Sequence, residues 1–394
     1  MSAPIVSTRA QRVHQEAIVI DMHNDMPSKM VADGYDPDAR HTAGARVDQG
    51  HTDLPRLIES GVTAQFLVAW VDAPYADTPD ASFARATLLI DAIHAFVRRH
   101  PEQLDLATTA AQVRRAKHDG RIAVFVGVEG GHAIESSLDR LRDLYARGAR
   151  YLTLTWNNGV EWAGSSLGER DTYTGGLTAF GRDVVREMNR LGMLVDVSHV
   201  SDAAFFDVID CSAAPVIASH SSARAISDSP RNLTDEQLRA IARNGGVVNV
   251  NFYSRFLDSD YRRRIEEVDA TVSAAAGHAS ARGDGSAETV ERIAAMREEL
   301  VAAIPATSFS VLLDHFDHVV HVAGVDHVGL GSDFDGITAL PEGIEDVTGL
   351  PRITQGLLDR GHSESDVRKI LGGNMLRVMT HVLDGEALAI DGER

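Results

Sequence analysis

Cysteine is nearly absent from this chain: Cys211 is the only one in 394 residues. An intramolecular disulfide is therefore excluded, which fits a reducing compartment. Positive charge is scarce too. Lys and Arg total 38 against 57 Asp and Glu, a formal net charge of −19. A nucleic-acid binder needs a basic face to meet phosphates, and an anionic membrane surface attracts the same kind of face. Both classes of partner are excluded on this ground. Apolar runs are short, and none reaches the 18 or so residues of a membrane span. The opening stretch, MSAPIVSTRAQRVHQEA, has neither an apolar h-region nor a lipidation signature. Cytoplasmic residence is the expectation that follows. A hydrophobic fraction of 44% is too high for disorder.

What the chain does have is an alternation of two patterns. Short β-branched runs occupy 17–25, 62–71, 122–131, 151–157, 194–200, 216–221, 247–253 and 327–334. Most are continuously apolar, as parallel strands covered on both faces are. Helical patterns lie between them, at 83–99, 137–148, 178–192, 234–245 and 363–383. Gly148, Gly192 and Gly245 stand where helix C-caps belong, and Asp235 and Glu236 stand in a first turn. Eight strands joined by helices is the count of an α/β fold of the (β/α)8 TIM-barrel type. A doubly wound open sheet is the alternative, but no glycine-rich phosphate loop follows the first strand. The chain is expected to be one barrel domain, 1–394. Residues 26–56 read as polar and irregular, and 254–306 as a charged helical insertion before the last strand.

Seventeen histidines are present, several at the ends of apolar runs. His23 and Asp25 end the first run, Glu129 the third, His199 the fifth, His220 the sixth and Asp333 the eighth. In a parallel barrel these ends converge on one rim, where such barrels place catalysis. Imidazoles and carboxylates meeting there suit a borderline divalent metal, most often zinc. Six groups exceed the needs of one tetrahedral zinc with an open position. They suit two metals, a bridging carboxylate and one residue left for proton transfer. Glu129 is the strongest single signal, because an acid on an apolar strand requires a compensating cation. Asp53 and Asp335 read as capping or turn groups. His315, His318 and His321, at i, i+3 and i+6, read as a helix packed outside the barrel rather than as ligands.

These segments resemble the membrane (renal) dipeptidase family of the amidohydrolase superfamily. The resemblance lies in IDMHNDMP, HTDLPRLIESGVTAQF, VEGGHAIESSLDRLRDLYARGARYLTLT, LVDVSHVSDAAF, PVIASHSSARAISDSPRNLTDEQL, VVNVNFY and VGLGSDFDG, in family order from about 17 to 380. It implies a barrel with a binuclear zinc centre, two zinc ions per chain. His23 and Asp25 would bind one ion, His199 and His220 the other, and Glu129 would bridge them. Asp333 would stand beside the attacking water and shuttle its proton. Arg231, in SPRNL, would grip the substrate's terminal carboxylate, a role that suits the guanidinium fork. Where many relatives have a histidine after TLT, this chain has Trp156, which can donate from Nε1–H but cannot ionise or accept. That departure touches the contact to the scissile carbonyl, not the metal ligands.

The implied activity is hydrolysis of dipeptides with a free C-terminal carboxylate, with D-residues tolerated in the second position. Another amidohydrolase reaction, on an N-acyl-amino acid, β-lactam or lactone, is the alternative within the class. A noncatalytic zinc-binding protein is the alternative outside it. The implied partner is a small dipeptide, with no nucleic acid and no membrane; a homodimer is left open.

Overall fold

The computed structural model describes residues 5–44, 49–168, 173, 175–282, 284 and 286–385. Among the described residues nine parallel strands form one sheet: β1 (Ile20–Asp21), β2 (Ala64–Trp70), β3 (Leu104–Leu106), β4 (Ile122–Glu129), β5 (Ala149–Thr153), β6 (Leu194–Asp196), β7 (Ile217–Ala218), β8 (Val247–Val250) and β9 (Val328–Leu330). The neighbours run β1–β2–β4–β5–β6–β7–β8–β9, and β9 pairs back to β1. Eight strands thus close into a (β/α)8 barrel. The ninth, β3, pairs only with the start of β4, at Ile122–Val124.

Alternation along the strands builds two cores. Ala64, Phe66 and Val68 of β2 and Ala123 and Phe125 of β4 join Tyr151, Leu194, Ile217 and Val247 in one buried cluster, the filling of the barrel. Leu67, Ala69, Val124, Val126 and Val128 face the other way, into the layer shared with the helices. Phe66 stacks on Phe125 at 4.8 Å and on Tyr151 at 5.4 Å. Gly127 makes room for this stack, since a Cβ there would lie 2.2 Å from Cζ of Tyr151.

The helices start and stop on local chemistry. Thr178, Ser201 and Thr234 accept from backbone N–H groups at the first turns of Ala179–Leu191, Asp202–Cys211 and Asp235–Asn244. Gly192 and Gly245 end two of these helices in the left-handed conformation. The insertion is helical as expected, with Ser259–Ala281 packed on Ala287–Ala302. Gly283 and Gly285, at the break between them, lie outside the described residues.

Three expectations need correction. Residues 26–56 are not wholly irregular, because Met26–Ala32 and Leu54–Ser60 are short helices, each with proline in its first turn. The pattern at 363–383 is not one helix. Glu364–Arg368 and Asn374–Leu383 are joined by a π-helical turn, Lys369–Gly373, that is non-helical at Gly372. The turn lies close under the first strand, where a Cβ at Gly372 would sit 2.5 Å from the carbonyl oxygen of Ile18. Finally, the strands are shorter than their apolar runs. β6 stops at Asp196, β7 at Ala218 and β9 at Leu330, before the histidines and acids that follow. Among the described residues no helix is long and apolar enough to cross a membrane.

Candidate metal centre

The chain leaves the sheet just past the strand ends, and there the predicted groups meet. Glu129 is the last residue of β4, paired in register with Trp70 of β2 and Thr153 of β5. His23, Asp25, His199, His220 and Asp333 come from the loops after β1, β6, β7 and β9. All six are buried, none more than 7% exposed. His199 (φ 68°) and Asp333 (φ 64°) adopt the left-handed backbone conformation. That conformation costs a non-glycine residue about 1–3 kcal/mol and persists where the surroundings enforce it, commonly at functional sites.

The two oxygens of Glu129 face different imidazoles. Oε1 lies 3.0 Å from Nε2 of His199 and 3.3 Å from Nε2 of His220. Oε2 lies 3.5 Å from Nε2 of His23, which is itself 3.3 Å from Oδ2 of Asp25. Ligand atoms of His23, Glu129 and His220 all fall within 4.8 Å of one another, as do those of His23, Asp25 and Asp333. Nε2 of His23, Oδ1 of Asp25, Oε1 of Glu129 and Nδ1 of His199 are buried with no hydrogen-bond partner. Such polar atoms are costly to leave unmatched, so the cluster fits a cation that would satisfy those of His23, Asp25 and Glu129. Burial holds His199 down at about 4, helped by the charge of Arg231, and holds His220 well below its ordinary value. Both rings are then neutral, the form that binds a metal. Burial works against ionising Glu129, yet the charge of His23 holds it well below the usual carboxylate range.

Burial raises Asp25 as well as Asp333. Burial, reinforced by the carboxylates of Asp25 and Glu129, pushes Asp333 up to about 7. Its Oδ2 accepts from Nδ2 of Asn251 at 2.9 Å. Arg231 is 2% exposed and also brought close: Nη2 donates to the carbonyl of His220 at 3.2 Å, while Nε has no partner. Its guanidinium packs 5.3 Å from the centre of the Phe256 ring.

A cavity of about 220 Å³ opens onto this cluster. Asp25, Glu129, His199, His220 and Asp333 line it, and so does Trp156, while Arg231 stands behind Phe256. Trp156 meets Trp70 edge-on at 5.1 Å and lies 6.4 Å from the His199 ring. Trp70 ends β2 and Trp156 follows β5, across the barrel from Tyr253 and Phe256, which follow β8. Sequence reasoning missed Trp70, Tyr253 and Phe256, since it followed only acids and imidazoles to the strand ends. Extending the same rule to aromatic residues would have found Trp70 and Tyr253.

The capping reading of Asp53 holds: it caps Leu54–Ser60 and pairs with Nε of Arg56 at 2.7 Å. Asp335 does hold a turn, accepting from the His51 amide at 2.7 Å, but it also lines the cavity. His315 receives the amide of Ala223 and lies 2.9 Å from the Leu257 carbonyl; His318 pairs with Asp235. Both belong to the helix Phe309–Ala323 outside the barrel, away from the cluster. A larger hollow, about 450 Å³, lies among the loops after β2, β4 and β5. His132, on its wall, is engaged with the Val71 carbonyl at 2.9 Å.

Known structures share this architecture. The dipeptidase AC, a metallo peptidase, is 29% identical, with 93% of this chain and 99% of that one aligned and a TM-score of 0.74. A metallo peptidase from Rhodobacter sphaeroides, solved with a phosphinate mimic of the dipeptide L-Ala-D-Ala, is also 29% identical, covering 93% and 100% with a TM-score of 0.73. The probable dipeptidase PvdM from Pseudomonas aeruginosa is 25% identical, covering 96% and 98% with a TM-score of 0.81. The sequence profile of the membrane dipeptidases, peptidase family M19, matches residues 7–388. With the match spanning nearly the whole barrel and the cluster at its rim, the chain belongs to the membrane dipeptidase family.

Proposed function

We infer that the buried cluster is the centre at which this metallo-dipeptidase cleaves dipeptides with a free C-terminal carboxylate, using two zinc ions. The observation that carries the reading is Glu129, whose two oxygens face separate groups of ligating atoms. His23 and Asp25 would hold one ion, His199 and His220 the other, with Glu129 shared. When bound, zinc polarises a carbonyl and brings the pKa of its water toward neutrality. Asp333 accepts the proton of the attacking water and returns it to the leaving amine. We assign the substrate's carboxylate to Arg231 and its free amine to Asp335 on the cavity wall. The Rhodobacter sphaeroides relative was solved with a mimic of L-Ala-D-Ala, which supports a D-residue in the second position here. We read the chain as one catalytic domain. A cytoplasmic location rests on its single cysteine.

The test is a library of L,L and L,D dipeptides, beside N-acyl-amino acids, offered to zinc-loaded protein. Dipeptides should turn over and N-acylated compounds should not. The reverse preference would replace this reading with another amidohydrolase reaction.

Arg231 supplies a prediction of its own. A hydrogen bond to a charged group contributes about 1.5–3 kcal/mol. Arg231→Met should therefore lower kcat/KM for free dipeptides by roughly ten- to 150-fold. Dipeptide amides, poor substrates already, should lose much less. Equal losses on both would assign Arg231 to structure.

Trp156 leads to a smaller effect. With Trp70 it walls the side of the cavity opposite Phe256, so its contact is with the substrate's side chain. Trp156→Phe should keep kcat within about tenfold, a change of roughly 1.4 kcal/mol, and shift the preferred dipeptide. A thousandfold fall in kcat with the metal retained would instead assign the indole N–H to the transition state.

A further inference from the structure

Beside the imidazole cluster lies a carboxylate that touches no ligand directly. Asp196 ends β6 and is fully buried. Four donors surround it. The amides of Ser198 and Ser219 reach Oδ1 at 3.0 and 2.8 Å. The hydroxyls of Thr153 and Ser219 reach Oδ2 at 2.5 and 2.6 Å. Among the described residues no cation pairs with it. Its neighbours are donors placed for an anion.

The hydrogens can then be counted. A carboxylate brings no proton, and a hydroxyl brings one. Thr153 and Ser219 both spend theirs on Asp196. Ser219 has none left for its remaining neighbours, Oγ of Ser198 at 3.3 Å and Nδ1 of His220 at 2.8 Å. The imidazole must be the donor in that contact. Its proton then sits on Nδ1, and the Nε2 lone pair points at the cluster, 3.3 Å from Oε1 of Glu129 and 2.9 Å from Nε2 of His199. The other two rings have no such control. Nδ1 of His23 faces the Tyr151 phenol at 2.9 Å, and a phenol can donate or accept. Nδ1 of His199 has no partner.

We propose that Asp196 and Ser219 are a positioning pair that fixes the Nδ1–H tautomer and the orientation of His220, and so sets the affinity of the centre for zinc. The proposal rests on the reading of His220 as a metal ligand. Partners of this kind orient metal-bound histidines, and losing one commonly lowers metal affinity 10- to 100-fold.

The experiment measures zinc affinity by competition with a chromophoric chelator, on variants first shown to be folded by circular dichroism. Ser219→Ala should bind zinc roughly 10- to 100-fold more weakly at one site. Ser219→Thr keeps the hydroxyl and should bind as the native protein does. Thr153→Val removes the other hydroxyl from Asp196 without touching His220, and should also bind as the native protein does. Asp196→Asn reverses the chain. Its amide donates to Oγ of Ser219, the serine proton turns to Nδ1, and the ring proton moves to Nε2, where it blocks the metal.

That reversal has a readout without zinc. In metal-free, 15N-histidine-labelled protein, His220 should read as Nδ1–H in the native chain and Nε2–H in Asp196→Asn. The same spectra decide the matter if Ser219→Ala does not fold. A folded Ser219→Ala with native zinc affinity would overturn the proposal. So would Thr153→Val with the same loss as Ser219→Ala, or an unchanged His220 tautomer in Asp196→Asn. Native protein that bound no zinc would instead remove the reading of the centre, and the tautomer measurement would then decide the positioning pair alone.

Discussion

Asp333→Asn should keep its metal and lose turnover by about 10²–10⁴-fold, the range typical of a general acid–base group. The substitution is nearly isosteric, and the site is built to hold it. Nδ2 of Asn251 donates to one side of the residue at 2.9 Å, and the Asp333 amide donates to the His23 carbonyl at 3.1 Å. An asparagine would turn its carbonyl to Asn251 and present its NH₂ to the cavity. Position and volume survive, but the group facing the substrate can no longer take a proton. The native carboxyl suits the task because burial, with Asp25 and Glu129 beside it, pushes it up to about 7. A group that must both accept and return a proton works best near the ambient pH.

The metal measurement is essential to this prediction. Ligand atoms of Asp333 lie within 4.8 Å of those of His23 and Asp25, so the carboxylate could itself hold the ion. A variant that loses metal along with activity would make Asp333 a ligand. A variant that keeps both metal and more than half its activity would end its role altogether.

How much of this was legible in the chain depends on what each residue must do. A parallel barrel covered by helices makes its strands apolar, so every polar residue at a strand end stands out. His23, Asp25, Glu129, His199, His220 and Asp333 were all visible on that ground, and the structure gathers them. The ends of the strands were misjudged for a related reason. Val197 stays apolar one residue past the end of β6, and nothing in residue type announces a left-handed backbone at a histidine or an aspartate. Trp70 and Phe256 were hidden because an aromatic residue at a cavity wall looks like one in the core. Asp196 was hidden more deeply. Its partners Thr153 and Ser219 lie 43 and 23 residues away, and only the pairing of β5, β6 and β7 brings them together. The break at Gly372 reflects a close approach to the first strand, a tertiary fact that a helical pattern cannot carry.

Removing the metal should abolish turnover, and restoring it should take two equivalents of zinc per chain. The argument is geometric. A catalytic zinc takes three protein ligands and leaves one position open. Here five candidate ligands converge, more than one such zinc would take. His199 and His220 approach Oε1 of Glu129 at 3.0 and 3.3 Å; His23, with Asp25 beside it, approaches Oε2. A carboxylate that offers its two oxygens to two groups is placed to bridge. The ligands also come from β4 and the loops after β1, β6 and β7, so no local segment can hold the centre once the barrel opens. Chelated protein should be folded and inactive. Titrating zinc back should raise activity to a plateau at two equivalents, with metal analysis giving the same number. Full activity in verified metal-free protein would remove metal from the mechanism. A plateau at one equivalent would leave a single ion at work, with Glu129 holding it from one oxygen and the remaining ligands serving only to orient the site.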